Sequence, residues 1–134
     1  MKNRADLTRG WLRKARSDVI AVDACLSAGA LDSACFHAQQ AAEKYLKAFL
    51  THSGIKFPFT HNLSKLVELC SGLDSSFQTV APVVIALTPY AVELRYDDEF
   101  WPTREVAEQA RLSMLAVRDF ILPRLPGYAP TLFD

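Results

Sequence analysis

Residues 32–52, DSACFHAQQAAEKYLKAFLTH, constrain the fold more than any other stretch of the chain. They predict one helix. Leu31 and Asp32 stand where a hydrophobic staple residue and an N-cap belong, with Phe36 placed to meet Leu31, and Gly54 after Ser53 suits the residue that closes a helix. At about 1.5 Å per residue such a helix is roughly 30 Å long, a full bundle length. Small residues at 34, 38, 41, 42 and 48 and aromatics at 36, 45 and 49 let neighbours approach on more than one side, which predicts a central helix. The polar positions His37, Gln39, Gln40, Glu43, Lys44 and Lys47 are too interleaved with apolar ones to share a single solvated strip. Some of them must face other helices or a partner.

The 134 residues, half of them hydrophobic, suffice for one domain with its own core, expected over 1–125, followed by a proline-rich tail over 126–134. No apolar run reaches the roughly 18 residues of a membrane span, and the N-terminus lacks a signal-peptide core. The expectation is a soluble cytoplasmic protein with no membrane partner. Cys25, Cys35 and Cys70 are odd in number and show no CxxC spacing, so they read as reduced packing residues. Acidic and basic residues cancel at fifteen each, against broad charge-driven binding to nucleic acid.

Along the chain, Leu7, Trp11, Ala15, Asp18, Val19, Val22 and Leu26 make a helical stripe that Gly29 ends. The basic run Arg9, Arg13, Lys14 and Arg16 reads as a solvated face. Thr60 is a candidate N-cap for a third helix over 61–71 with Leu63, Leu66, Val67 and Cys70 as its apolar face. Between 76 and 96, prolines 82 and 89 break up helix formation: a short turn, a restart with Pro82 at its first position, a kink near Pro89, and an end at Leu94-Arg95-Tyr96. The loop 97–102, DDEFWP, sets two aromatics beside three carboxylates. Thr103 then caps a last helix over 104–122, with Val106, Ala110, Met114, Val117 and Ile121 along one face, and the tail after Pro123 is expected to be extended, either mobile or docked on another subunit. The predicted fold class is all-α, an up-and-down antiparallel bundle of four to five helices.

His37, His52 and His61 have no metal-ligand spacing, and there is neither a glycine-rich phosphate loop nor a nucleophile elbow, so no metal or cofactor is expected. The candidates that remain are polar residues on helices. Asp18 is either a boundary residue or the orienting partner of a base on another helix. Glu43 and Lys47 are spaced for an i,i+4 pair, and His61 falls in a cap region. Arg95, before the aromatic loop, can grip a phosphate with its planar fork or pair with Asp97 or Asp98.

The pattern WLxxAxxD over 11–18, FHAQQAAEKYLKA over 36–48, THNL over 60–63 and Arg95-Tyr96 before a last amphipathic helix resembles the HEPN domain family over roughly residues 6–122. The resemblance implies a helical bundle that commonly forms a homodimer and partners a small nucleotidyltransferase, often as a toxin–antitoxin pair. In active branches of the family, metal-independent RNA cleavage uses an Arg-x(4–6)-His motif beginning where Arg95 stands, at the dimer cleft. Here the positions for that histidine hold Phe100, Trp101 and Pro102, none of which exchanges a proton near neutral pH. The tyrosine that partner enzymes modify in some members has no matched position either. The carry-over is therefore a binding role. Arg95, Lys47, His37 and His61 are candidates for nucleotide or anion contact, Asp18 and Glu43 form a polar cluster, and Tyr96, Phe100 and Trp101 are interface candidates. The resulting expectation is a dimeric binding module beside a nucleotidyltransferase, with contact to nucleotide or RNA phosphate and no catalytic residue. The alternatives are a metal-independent RNA endonuclease using the displaced His37, or a purely structural helical dimer.

Overall fold

Asn3 opens the first helix, α1 (Arg4–Ala28), through a reciprocal capping box with Asp6. The computed structural model describes residues 1–128. Gly29 closes α1 at φ 78°, a left-handed conformation, and the amides of Gly29 and Ala30 return to the carbonyls of Leu26 and Cys25. That turn leaves α2 (Leu31–His52) to begin at once, with Ala30 as its N-cap and no side-chain cap. Asp32 is thus not the cap expected from the sequence. It occupies the first turn instead, where its charge still favours the helix N-terminus. Gly54, at φ 75°, terminates α2 by the same kind of turn, its amide on Thr51 and that of Ile55 on Leu50.

Among the described residues the remaining helices are α3 (Leu63–Ser71), α4 (Ala81–Ile85) and α5 (Arg104–Ile121), with three short 3-10 turns and no strand. α2 is central: it packs against α1, α5 and α3. Its alanines at 34, 38, 41, 42 and 48 are fully buried and allow close approach, while Tyr45, Leu46 and Leu50 fill the core with Leu12, Phe77, Met114 and Ile121. Each large apolar side chain buried in this way contributes about 1.5–3 kcal/mol.

Four further expectations are corrected. Leu7 is exposed and Thr8 takes the inward position, its hydroxyl satisfied by donating to the Arg4 carbonyl at 2.8 Å. Val106 is also exposed, because the inward line of α5 runs through Ala107, Ala110, Met114, Val117 and Ile121, and Val106 lies about 100° off it. α3 starts at Leu63 rather than His61: Asn62 is the cap, accepting from the Ser64 amide, and the Thr60 hydroxyl accepts from the Asn62 amide. Pro82 stands second in α4, and the helix does not resume after Pro89. That proline sits in the 3-10 turn Thr88–Tyr90 with no N–H for the Ile85 carbonyl, so residues 91–96 run as turns. Thr103 caps α5 as expected, accepting from the Val106 amide.

Beyond α5 the chain makes a 3-10 turn (Leu122–Arg124), buries Leu125 and brings the Tyr128 ring edge-on to His52, with Arg9 above it. Arg124 ties this segment down through Asp74, Ser76 and the face of Phe120. Hydrogen bonds from Ser76, followed by Arg124, hold the half-buried Asp74 carboxyl below its ordinary pKa. Residues 129–134 of the expected tail lie outside the described residues.

Candidate functional site

Three polar places stand out, and two are built on α2. At the first, Asp18 of α1 reaches across to α2, where its two oxygens accept from His37 Nδ1 at 2.8 Å and Lys44 Nζ at 2.5 Å. His37 and Lys44 are seven residues apart, two helical turns, and so share one face of α2. The carboxylate is buried and its two donors lie toward the rim. Asp18 is thus the orienting partner of basic residues on another helix.

The second centre lies one face round. Glu43 Oε1 accepts from His61 Nδ1 at 2.9 Å and from Gln39 Nε2 at 3.1 Å, and Oε2 accepts from Lys47 Nζ at 3.0 Å. Gln39 also donates to the His61 carbonyl, and Gln40 donates to Gln39 Oε1. Gln39, Glu43 and Lys47, at i, i+4 and i+8, form a buried polar stripe that fastens the loop before α3 to the central helix. The Lys47 ammonium is further surrounded by the rings of Trp11, Phe57 and Phe59, 5.3 to 5.8 Å from their centroids. Its charge is fully engaged within the bundle, whereas the sequence suggested it for an external anion.

The third place is the turn after α4. Arg95 is exposed, lies 4.7 Å from the Phe36 centroid and 5.7 Å from that of Tyr96, and makes no ion pair among the described residues. Asp97 spends its side chain on the Glu99 amide rather than on Arg95. A cavity of about 310 Å³ opens here, lined by Arg95, Tyr96 and Trp101 together with Asp32, Asp97 and Asp98. Of the three interface candidates, Tyr96 and Trp101 are exposed, and Phe100 stacks on Tyr90 of its own bundle at 5.8 Å.

The structure therefore separates what the sequence grouped: His61 joins Glu43 and Lys47, His37 joins Asp18, and Arg95 joins neither carboxylate, lying over the Phe36 ring that meets the His37 ring edge-on at 5.2 Å. Sequence reasoning missed Gln39 and Gln40 as members of the buried network, Phe36 as the platform under Arg95, and Lys44 as a partner of Asp18. The one available signal was the interleaving of polar and apolar positions on α2, which says that polar groups must be buried but not where. The cysteines carry no such chemistry. They are free thiols, and burial pushes Cys35 up to about 11 and Cys70 up to about 12. Among the described residues no group of three or more His, Cys, Asp or Glu side chains could hold a metal ion. No helix among them is long and apolar enough to cross a membrane.

An all-helical bundle with a central helix carrying buried charges, closed by a capped amphipathic helix, defines the class of protein. The model of the HEPN domain matches residues 8–124, and the chain belongs to that family. A solved structure, that of ST0689, an archaeal HEPN homologue, is similar in fold with a TM-score of 0.71 at 21% identity, over 92% of this chain and 98% of that one. A comparison with curated proteins returns no match.

Proposed function

We propose that this HEPN chain is a homodimeric binding module that partners a small nucleotidyltransferase, as in toxin–antitoxin pairs, with Arg95 as its contact to a nucleotide or RNA phosphate. The observation that carries the reading is Arg95 itself: an exposed guanidinium braced by two rings, without a carboxylate partner among the described residues, at the edge of a cavity. Three carboxylates line the same cavity beside Arg95, and a patch holding both signs is self-complementary under a twofold axis. Tyr96 and Trp101, large rings left in water, supply the aromatic anchors that such an interface uses. The endonuclease alternative requires His37 to approach Arg95 in the dimer, and within one copy His37 Nδ1 is engaged by Asp18.

Sedimentation of the wild type and Trp101→Ala across a dilution series tests the assembly. The expected result is a dimer that Trp101→Ala weakens by about 2 kcal/mol, roughly thirtyfold in Kd. A wild-type monomer at micromolar concentration would overturn it. Co-expression with a nucleotidyltransferase encoded next to this chain should yield a co-eluting complex, and separate elution of the two would remove that partner. RNA incubated with the protein and a chelator should stay intact. Cleavage that Arg95→Ala abolishes would replace this reading with the enzyme.

A further inference from the structure

Phe59 is 95% exposed, yet its ring is held, with Lys47 Nζ 5.8 Å from its centroid and the His61 ring edge-on at 6.1 Å. A ring that buries almost nothing contributes little to folding. It stands at the rim of a cleft of about 420 Å³ whose walls include His61, Asn62 and Thr88. The exposed Glu93 carboxylate also lines this cleft, while the polar groups next to Phe59 have fixed roles. A carboxylate only accepts, so the bond to Glu43 puts the proton of a neutral His61 on Nδ1 and leaves Nε2 as an acceptor. Asn62 spends its side-chain oxygen on the Ser64 amide, and its NH2 group remains as a donor without a partner among the described residues. The Thr88 hydroxyl oxygen is buried and has no hydrogen-bond partner among the described residues. The cleft thus offers a flat apolar face beside an acceptor and a donor on adjacent residues.

We propose that this cleft takes an unpaired nucleobase, stacked on Phe59 with its edge toward His61 Nε2 and the Asn62 amide. The proposal rests on the nucleotide or RNA reading above and adds a site for the base to the phosphate contact at Arg95. Every base has a π-face, and each presents a donor and an acceptor side by side on its pairing edge, so the site tolerates any sequence. Glu43 and Lys47 are positioning residues: held by the buried stripe, they fix the ring of His61 and the place of Phe59.

The test is fluorescence anisotropy with a labelled eight-nucleotide RNA of mixed sequence and an abasic ribose-phosphate chain of equal length. Both are titrated with the wild type, Phe59→Ala, Phe59→Trp and Arg95→Ala. Wild type should prefer the base-bearing chain by roughly tenfold or more, Phe59→Ala should lose that preference, and Phe59→Trp should keep it. Competition by adenosine monophosphate would extend the site to free nucleotides, and its failure to compete would confine the site to strands. Equal binding of the two chains by wild type overturns the proposal, as does a Phe59→Ala variant that binds as wild type or changes only the sedimentation of the protein. An effect of Arg95→Ala without one of Phe59→Ala sinks the base site alone, the reverse sinks the Arg95 contact alone, and no binding of any RNA sinks both. Nitrogen-15 NMR of the neutral His61 ring supplies a second reading: a proton on Nε2 would contradict the assigned acceptor.

Discussion

Asp18 with His37 and Lys44, and Glu43 with His61 and Lys47, are the same constellation in two settings. In each, one carboxylate accepts from a histidine Nδ1 and a lysine Nζ on separate oxygens. They differ in how water is distributed. Around Asp18, 10% exposed in its side chain, the lysine keeps 20% of its side-chain surface and the histidine 32%, and both donors can trade the carboxylate for solvent. Around Glu43, 3% exposed, Lys47 keeps 6% and is walled in by aromatic rings, while His61 keeps 45% and alone faces outward. One centre ties two helices together at a solvated edge. The other is a desolvated charge pair that holds a half-exposed imidazole in one orientation, which is the arrangement a binding site requires.

The sharpest way to break this comparison is to remove each carboxylate in turn. Glu43→Gln leaves the Lys47 ammonium buried without its counter-charge and should cost about 3–5 kcal/mol in chemical denaturation. The double variant Glu43→Gln, Lys47→Met removes both charges and should recover most of that loss, since a buried pair adds little over an apolar replacement. A loss below 1 kcal/mol for the single variant would make the two centres equivalent. Asp18→Asn, which leaves two donors that reach water, should cost less, about 1–2 kcal/mol. A larger cost than that of Glu43→Gln would invert the reading.

A smaller effect locates each centre's influence. Cys35 lies two residues before His37 on α2, and Cys70 lies on α3, which the loop carrying His61 leads into. Burial raises both thiol pKa values, to about 11 and about 12, so alkylation near pH 8 requires local opening. Glu43→Gln should speed labelling of Cys70 several-fold more than that of Cys35, and Asp18→Asn the reverse. Uniform acceleration of both would mean global loosening and no local division. The sign of the pH dependence follows from the same shifts. With the folded pKa raised, the stability these thiols contribute is complete below about pH 8.5, the ordinary thiol value, and is lost as pH rises toward 11 and 12. Denaturation midpoints should therefore fall through that window, and Cys70→Ala should flatten the fall.

Much of the fold was legible because its signals are local. Gly29 and Gly54 end helices wherever the chain needs a left-handed residue, Thr103 caps α5, and the crowd of alanines among aromatics marks α2 as central. The errors share one origin. Asp32 and Thr60 are good caps by composition, but the tight turn at Gly29 had already started α2. The Gln39 and Glu43 contacts to His61 likewise hold the chain out of helix until Leu63. The helical restart expected to reach Arg95 failed because two prolines leave too few consecutive residues to repay nucleation.

What the sequence determined by itself was the number and length of the long helices, the family pattern on them, and the absence of a histidine at Phe100, Trp101 and Pro102. Tertiary structure alone decided the partners. Asp18 and His37 are nineteen residues apart, Glu43 and His61 eighteen, and Lys47 finds rings at 11, 57 and 59. Helical periodicity assigns a residue to a face, but on a helix buried nearly all round every face has a neighbour. Which neighbour it meets depends on how the connections at Gly29 and over 53–62 swing the next element across it. Phe59 shows the physical reason most directly. Its exposure follows from the path of that loop, which the buried charges of Glu43 and Lys47 fix, and no reading of its own neighbours in the chain contains that information.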